Sequence, residues 1–254
     1  MLNMILHFKF LKQSAFLLPL LLFGCKSTHQ IATIDTGYTI VRDADLSKDA
    51  ETESIITPYR KKMEETMNVI VGHTDEAMSK SRPESKLGNL ISDVILDKAT
   101  AQSKLPVDFA IQNYGGIRIP TLGAGDIRKG LMYEIMPFDN EIVIVRIKGI
   151  YVLKLMESIA SDGGVPVSRG IQMTIIDKKI GSLLINGAVV DENKEYYIAV
   201  NDFMANGGDG YEVLSQGEQI HTGSLVRDAL TEHFLYMQSQ GKSVTAKIER
   251  RIAD

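Results

Sequence analysis

The chain has 254 residues, 44% of them apolar and 24% charged, with eight Phe, nine Tyr and no Trp, which is enough apolar material for one or two packed domains. A net charge of −4 argues against a nucleic-acid clamp or a polybasic membrane surface, and a single Cys excludes a disulfide framework or a thiolate zinc site. Five scattered His, without an HxH, HExxH or DxH pattern, speak against a two-metal centre built from this chain.

Residues 1–24 have the layout of a secretion signal: Lys9 and Lys12, then an apolar run over 15–23, then Gly24 before Cys25. Nine apolar residues are too few to cross a hydrocarbon layer of ~30 Å as a helix. Leu22-Phe23-Gly24-Cys25 resembles a bacterial lipobox, in which the Cys becomes the lipidated first residue of the mature protein. A signal peptide over 1–24 and a polar tether over 25–50 are expected, holding the folded part outside the cytoplasm, periplasmic or against the outer membrane.

Ile55, Ile56, Tyr59, Met63 and Met67 recur at helical spacing and predict a helix over 51–67, followed by a strand over 69–71. Leu87, Leu90, Ile91, Val94 and Ile95 form one apolar stripe of a helix over 86–101. Strands are expected over 108–112, 142–147, 171–176, 183–185 and 196–200, with a helix over 149–159. Asn186-Gly187 reads as a hairpin turn before a strand over 188–190. Thr222 or Ser224 is the expected cap of a last helix reaching 237, ahead of a final strand over 244–248. The mixture lacks strict βαβ alternation and predicts one α/β or α+β domain over 51–254.

Three segments leave strands as loops with unusual residues. They are Asn113-Tyr114-Gly115-Gly116-Ile117-Arg118, Met136-Pro137-Phe138-Asp139-Asn140, and the run from Asn201 through Phe203 and Asn206-Gly207-Gly208-Asp209-Gly210 to Tyr211. Each alone has a plain explanation: a Phe after a strand fills a core, and Asn-Gly-Gly or an Asp between glycines makes a turn. No Lys-Ser/Thr follows the glycines, so they are no P-loop, and Gly123-Ala124-Gly125 has Arg128 where a dinucleotide fingerprint needs Gly. Together, two aromatics, two amides, an Arg and a fixed carboxylate are what a nucleoside needs. The base stacks on rings, a carboxylate accepts both hydrogens of the ribose diol, and Arg meets sugar or phosphate oxygens.

The order NxGGxR, PFxN, NxFxANGGDGY resembles the C-terminal domain of the 5′-nucleotidase and UDP-sugar hydrolase family, supported by Leu87-Gly88-Asn89 and Lys148-Gly149. The resemblance covers roughly 51–252 and implies a four-layered α/β/β/α domain. It implies further that Phe138 and Phe203 sandwich the base, Asp209 binds the ribose hydroxyls and Asn113 bonds the base edge. Asn140 would add a polar contact and Arg118 would meet ribose or phosphate. Arg82, upstream of the LGN helix, and Gly170, in Ser168-Arg169-Gly170, would complete the site.

Full-length enzymes of that family carry their two divalent metals on a separate N-terminal metallophosphatase domain. Only residues 26–50 precede the matching region here, and His29, His73, His221 and His233 have no ligand partners at suitable spacing. No catalytic residue, metal or cofactor is therefore expected in this chain. The first hypothesis is the nucleotide-recognition half of a split 5′-nucleotidase working with a separately encoded metallophosphatase. The second is an autonomous nucleoside-binding lipoprotein, and the third a degenerate domain kept for assembly.

Overall fold

A computed structural model describes residues 36–38, 40 and 49–254; the expected signal segment, Cys25 and most of the tether lie outside the described residues. Glu51–Asp254 packs as one unit. In chain order its elements are α1 (Ala50–Met67), β1 (Ile70–Thr74), β2 (Met78–Ser79), α2 (Lys86–Ser103), β3 (Phe109–Ala110), β4 (Thr121–Leu122), β5 (Gly125–Arg128) and α3 (Lys129–Ile135). They continue with β6 (Glu141–Lys148), α4 (Gly149–Ser161), β7 (Ile171–Ile176), β8 (Lys179–Ile185), β9 (Glu195–Asn201), α5 (Asp202–Ala205), β10 (Glu218–Leu225), α6 (Val226–Ser239) and β11 (Ile252–Ala253).

The fold is organised around β6, whose run of β-branched residues is buried on both sides of the pleat. It pairs antiparallel with β10 and β9, and β9 runs parallel to β3, giving a four-stranded sheet of order β10-β6-β9-β3. Ile142, Ile144 and Ala199 face one core, filled by Leu87, Ile91 and Ile95 of α2 and by Leu230 and Phe234 of α6. Val143, Val145, Ile198 and Val200 face the other, filled by Val152, Leu155, Met156 and Ile159 of α4 and by Ile171, Met173 and Ile185 of a three-stranded sheet, β11-β7-β8. Two helical and two sheet layers in one mixed α/β domain result, as the sequence implied.

Several expectations need correcting. The 51–67 helix forms, but its stripe stays in solvent: Ile55, Ile56, Tyr59 and Met63 are all exposed, and α1 has no buried residue. Residues 188–190 form no strand, and Ala188 makes only an isolated bridge to Ile185. Asn186-Gly187 does form the expected two-residue turn, both residues left-handed with Ile185 and Ala188 exchanging both backbone hydrogen bonds, and Asp177-Lys178 forms a second such turn between β7 and β8. Thr222 and Ser224 do not cap α6, because they belong to β10, and the cap position is Leu225 without a side-chain bond. The last strand is β11, held parallel to β7, rather than 244–248.

β10 went unrecognised because its burial is weak and irregular, as suits a sheet edge. Its bulge after His221 is held by Glu141, which pairs with His221 Nδ1 at 2.8 Å and accepts from the Gly223 N–H at 2.6 Å. Burial pushes the Glu141 carboxyl up, but these hydrogen bonds outweigh it and hold the group below the usual carboxylate range. Such a group adds stability above its unfolded-state pKa and loses it as pH falls through the lowered folded-state value. Thermal unfolding from about pH 6 down to about pH 3 should therefore show a shallower acid loss in Glu141→Gln than in the wild type. Superimposable pH profiles would contradict this role.

Candidate functional site

Strand direction gathers the three loops. β3 and β9 are parallel and β6 is antiparallel to β9, so the exits of β3 and β9 and the entrance of β6 share one end of the sheet. There a cavity of about 250 Å³ is lined by Asn113, Gly115, Gly116, Arg118, Phe138, Asn140, Phe203 and Asp209. Six of the eight residues singled out for the site from the sequence meet in it.

Its polar floor is a chain of amides. Asn201 ends β9 and caps α5, accepting from the Met204 N–H at 2.8 Å, which sets the short helix carrying Phe203. The Asn201 amide donates to Asn113 Oδ1 at 2.9 Å, and Gln112 Nε2 donates to the same oxygen at 2.7 Å. Asn113 Nδ2 in turn donates to Asp209 Oδ2 at 2.7 Å. Asn113 is thus engaged in orienting the carboxylate, with one amide N–H left over. Gln112 and Asn201 were not singled out as site residues; the opening Asn of the third motif was the available signal. A side chain at Gly116 would overlap Gln112 Nε2 and approach the Asn113 amide, so this network requires the second glycine of the pair.

Asp209 sits in the left-handed region (φ 56°) after Gly207 (φ 89°), a conformation that Asp tolerates, and its carboxylate projects toward the cavity. Phe138 and Phe203 are half exposed, 49% and 47%, and both line the cavity. Phe203 rests on Gly208, where a Cβ would come within 2.5 Å of the ring. Gly208→Ala should push the ring across the cavity and weaken ligand binding about tenfold, with thermal stability nearly unchanged. Unaltered affinity by calorimetric titration would refute that geometry. Arg118 donates to the Gly115 carbonyl at 3.1 Å and lies 5.7 Å from the Phe138 ring centroid.

Arg82 lies in an adjoining polar cavity with Tyr114, Gly115, Asp162, Asp209 and Tyr211, so the two cavities share Gly115 and Asp209. Its guanidinium covers the Tyr114 ring at 4.6 Å and donates to the carbonyls of Asp162 and Gly164. Tyr211 donates to Asp162 at 3.0 Å, and burial together with that carboxylate pushes the phenol up. Lys80, which the sequence did not signal, donates to the carbonyls of Tyr114 (3.2 Å) and Ile117 (2.7 Å) and pins the first loop. Burial, with Arg118 and Arg82 nearby, pulls its ammonium down. Gly170 is not brought into either cavity: it precedes β7 at φ 93°, facing Asn186 and the Asp108 carbonyl.

The histidines have neighbours that sequence spacing concealed. His73 pairs with Asp126 at 2.8 Å and Asp75 at 3.4 Å, and His221 with Glu141. Among the described residues no three His, Cys, Asp or Glu side chains are placed to hold a metal ion.

The family model for the 5′-nucleotidase C-terminal domain matches residues 70–216. The trifunctional nucleotide phosphoesterase protein YfkN of Bacillus subtilis is 28% identical over 235 residues, 84% of this chain and 16% of that protein. A 5′-nucleotidase of Vibrio cholerae is 26% identical over 200 residues, 75% of this chain and 35% of that one. The crystal structure of a 5′-nucleotidase precursor from Thermus thermophilus is similar with a TM-score of 0.67 at 28% identity, over 80% of this chain and 43% of that one. The chain therefore spans less than half the length of each of these relatives. By the match over more than half its residues, with all three loop motifs inside it, the chain belongs to the 5′-nucleotidase C-terminal domain family.

Proposed function

We propose that residues 51–254 are the nucleoside- or nucleotide-recognition half of a 5′-nucleotidase-type phosphohydrolase serving nucleotide catabolism. In this reading the ester-cleaving metals belong to a separately encoded metallophosphatase, and the chain is held in the cell envelope by a lipid on Cys25. The observation that carries the reading is the cavity lined together by two half-exposed Phe rings, by the Asp209 carboxylate on its left-handed backbone and by Arg118. Rings so placed offer stacking faces to a planar base, and Asp209 offers paired acceptors to a diol. The nucleotidase names of the relatives agree with that chemistry.

Half-exposed rings leave one side of the bound nucleoside in water, so the affinity of the lone chain should be about 10 µM to 1 mM. Calorimetric titration of the full chain with adenosine, AMP and UDP-glucose, beside a phosphate-release assay with added divalent metal, tests this. Binding that is lost in Phe203→Ala, without phosphate release, is the expected result. No binding by any of the three ligands overturns the recognition reading. Phosphate release by the chain alone overturns the assignment of the metals to a partner.

A further inference from the structure

Arg227 stands in the first turn of α6 and is only 7% exposed, although it is an arginine. Burying a guanidinium is costly unless its donors are met, and an apolar side chain would fill the same space more cheaply. The hydrogen bonds that Arg227 makes through its two Nη atoms all go to one loop, while its Nε is buried without a partner. Nη1 donates to the carbonyls of Met136 (3.2 Å) and Phe138 (3.3 Å), and Nη2 pairs with the Asp139 carboxylate. The neighbouring Val226 N–H donates to the Asn140 carbonyl at 2.9 Å. The guanidinium also lies 4.2 Å from the Tyr133 ring centroid, sandwiching it between α3 and the loop.

Phe138 has no comparable anchor of its own. Its side chain is half exposed, and its position follows from the backbone of 136–140. Two carbonyls and a carboxylate on one turn are a target for a rigid planar fork; a Lys ammonium, a point charge on a flexible stem, does not match it. We infer that Arg227 is a positioning residue that holds the 136–140 turn so that Phe138 presents its ring to the ligand cavity. The inference rests on the proposed nucleoside site only for what Phe138 contacts.

The chain contains no Trp, so Phe138→Trp supplies a single Trp at the position in question, which can be excited selectively over the nine Tyr. The full chain carrying Phe138→Trp would be compared with the same chain carrying in addition Arg227→Met, Arg227→Lys or Leu230→Ala. Leu230 is buried in the same helix but faces the core. Arg227→Met should raise acrylamide quenching of the Trp at least about twofold and weaken adenosine binding about tenfold. Arg227→Lys should recover only part of both. Leu230→Ala should lower the melting temperature while leaving the quenching as in the parent. Unchanged quenching in Arg227→Met, or an equal change in Leu230→Ala, would overturn the inference. Failure of the wild-type chain to bind adenosine would instead overturn the functional reading, and the quenching comparison would still decide the role of Arg227.

Discussion

Asp209→Ala is expected to reduce adenosine affinity about a hundredfold. Two charge-assisted hydrogen bonds to a ribose diol, at about 1.5 kcal/mol each, sum to about 3 kcal/mol, and each 1.4 kcal/mol is a factor of ten. The carboxylate is already aimed before ligand arrives, because Asn113 Nδ2 holds one oxygen and the left-handed backbone fixes the other's direction. Asp209→Asn keeps an acceptor and tolerates the same φ, so it should lose only about tenfold. A substrate-side control isolates the cause: 2′,3′-dideoxyadenosine should bind the wild type weakly and be nearly indifferent to Asp209→Ala. An equal loss with both ligands in calorimetry would mean that Asp209 acts through the loop rather than through the diol.

Gly149→Ala is expected to cost the most stability, about 3 kcal/mol or more, and to leave much of the protein insoluble. Gly149 opens α4 directly after β6, and its N–H donates to the Lys194 carbonyl at 2.8 Å, while the Ile150 N–H donates to Glu192. A Cβ there would overlap the Asp191 carbonyl oxygen and lie 2.8 Å from its carbon. Both obstacles are backbone, so no rotamer change relieves them, and the seam between α4 and the turn before β9 would have to open. Urea unfolding followed by circular dichroism measures the loss. A change below about 1 kcal/mol would show that the turn yields easily.

Arg118 and Lys80 show how the site's charge is distributed. Lys80 is spent on two carbonyls of the first loop, whereas Arg118 is exposed and tied to only one. Of these two, Arg118 is the one free to turn toward an anionic group on a ligand. Arg82 already donates to two carbonyls and belongs to the adjoining cavity.

Local chemistry was enough to reveal much of this molecule. The β-branched run of β6, the apolar stripe of α2 and the glycine-rich turns write their conformations into neighbouring residues, so they can be read from order and period alone. The loop motifs likewise carried Phe138, Phe203, Asp209, Asn113, Arg118 and Asn140, because each motif is a contiguous stretch. Tertiary structure decided the remainder. α1 has a helical stripe, yet nothing in its period says whether a partner layer will cover it, and in this unit none does. β10 is too polar to announce itself and becomes a strand only because β6 offers an open edge. Arg227 bonds the turn of Phe138 from 89 positions away, and Asn113 meets Asp209 across 96. Those separations are set by strand order, and periodicity, which acts over a few residues, contains no term for them.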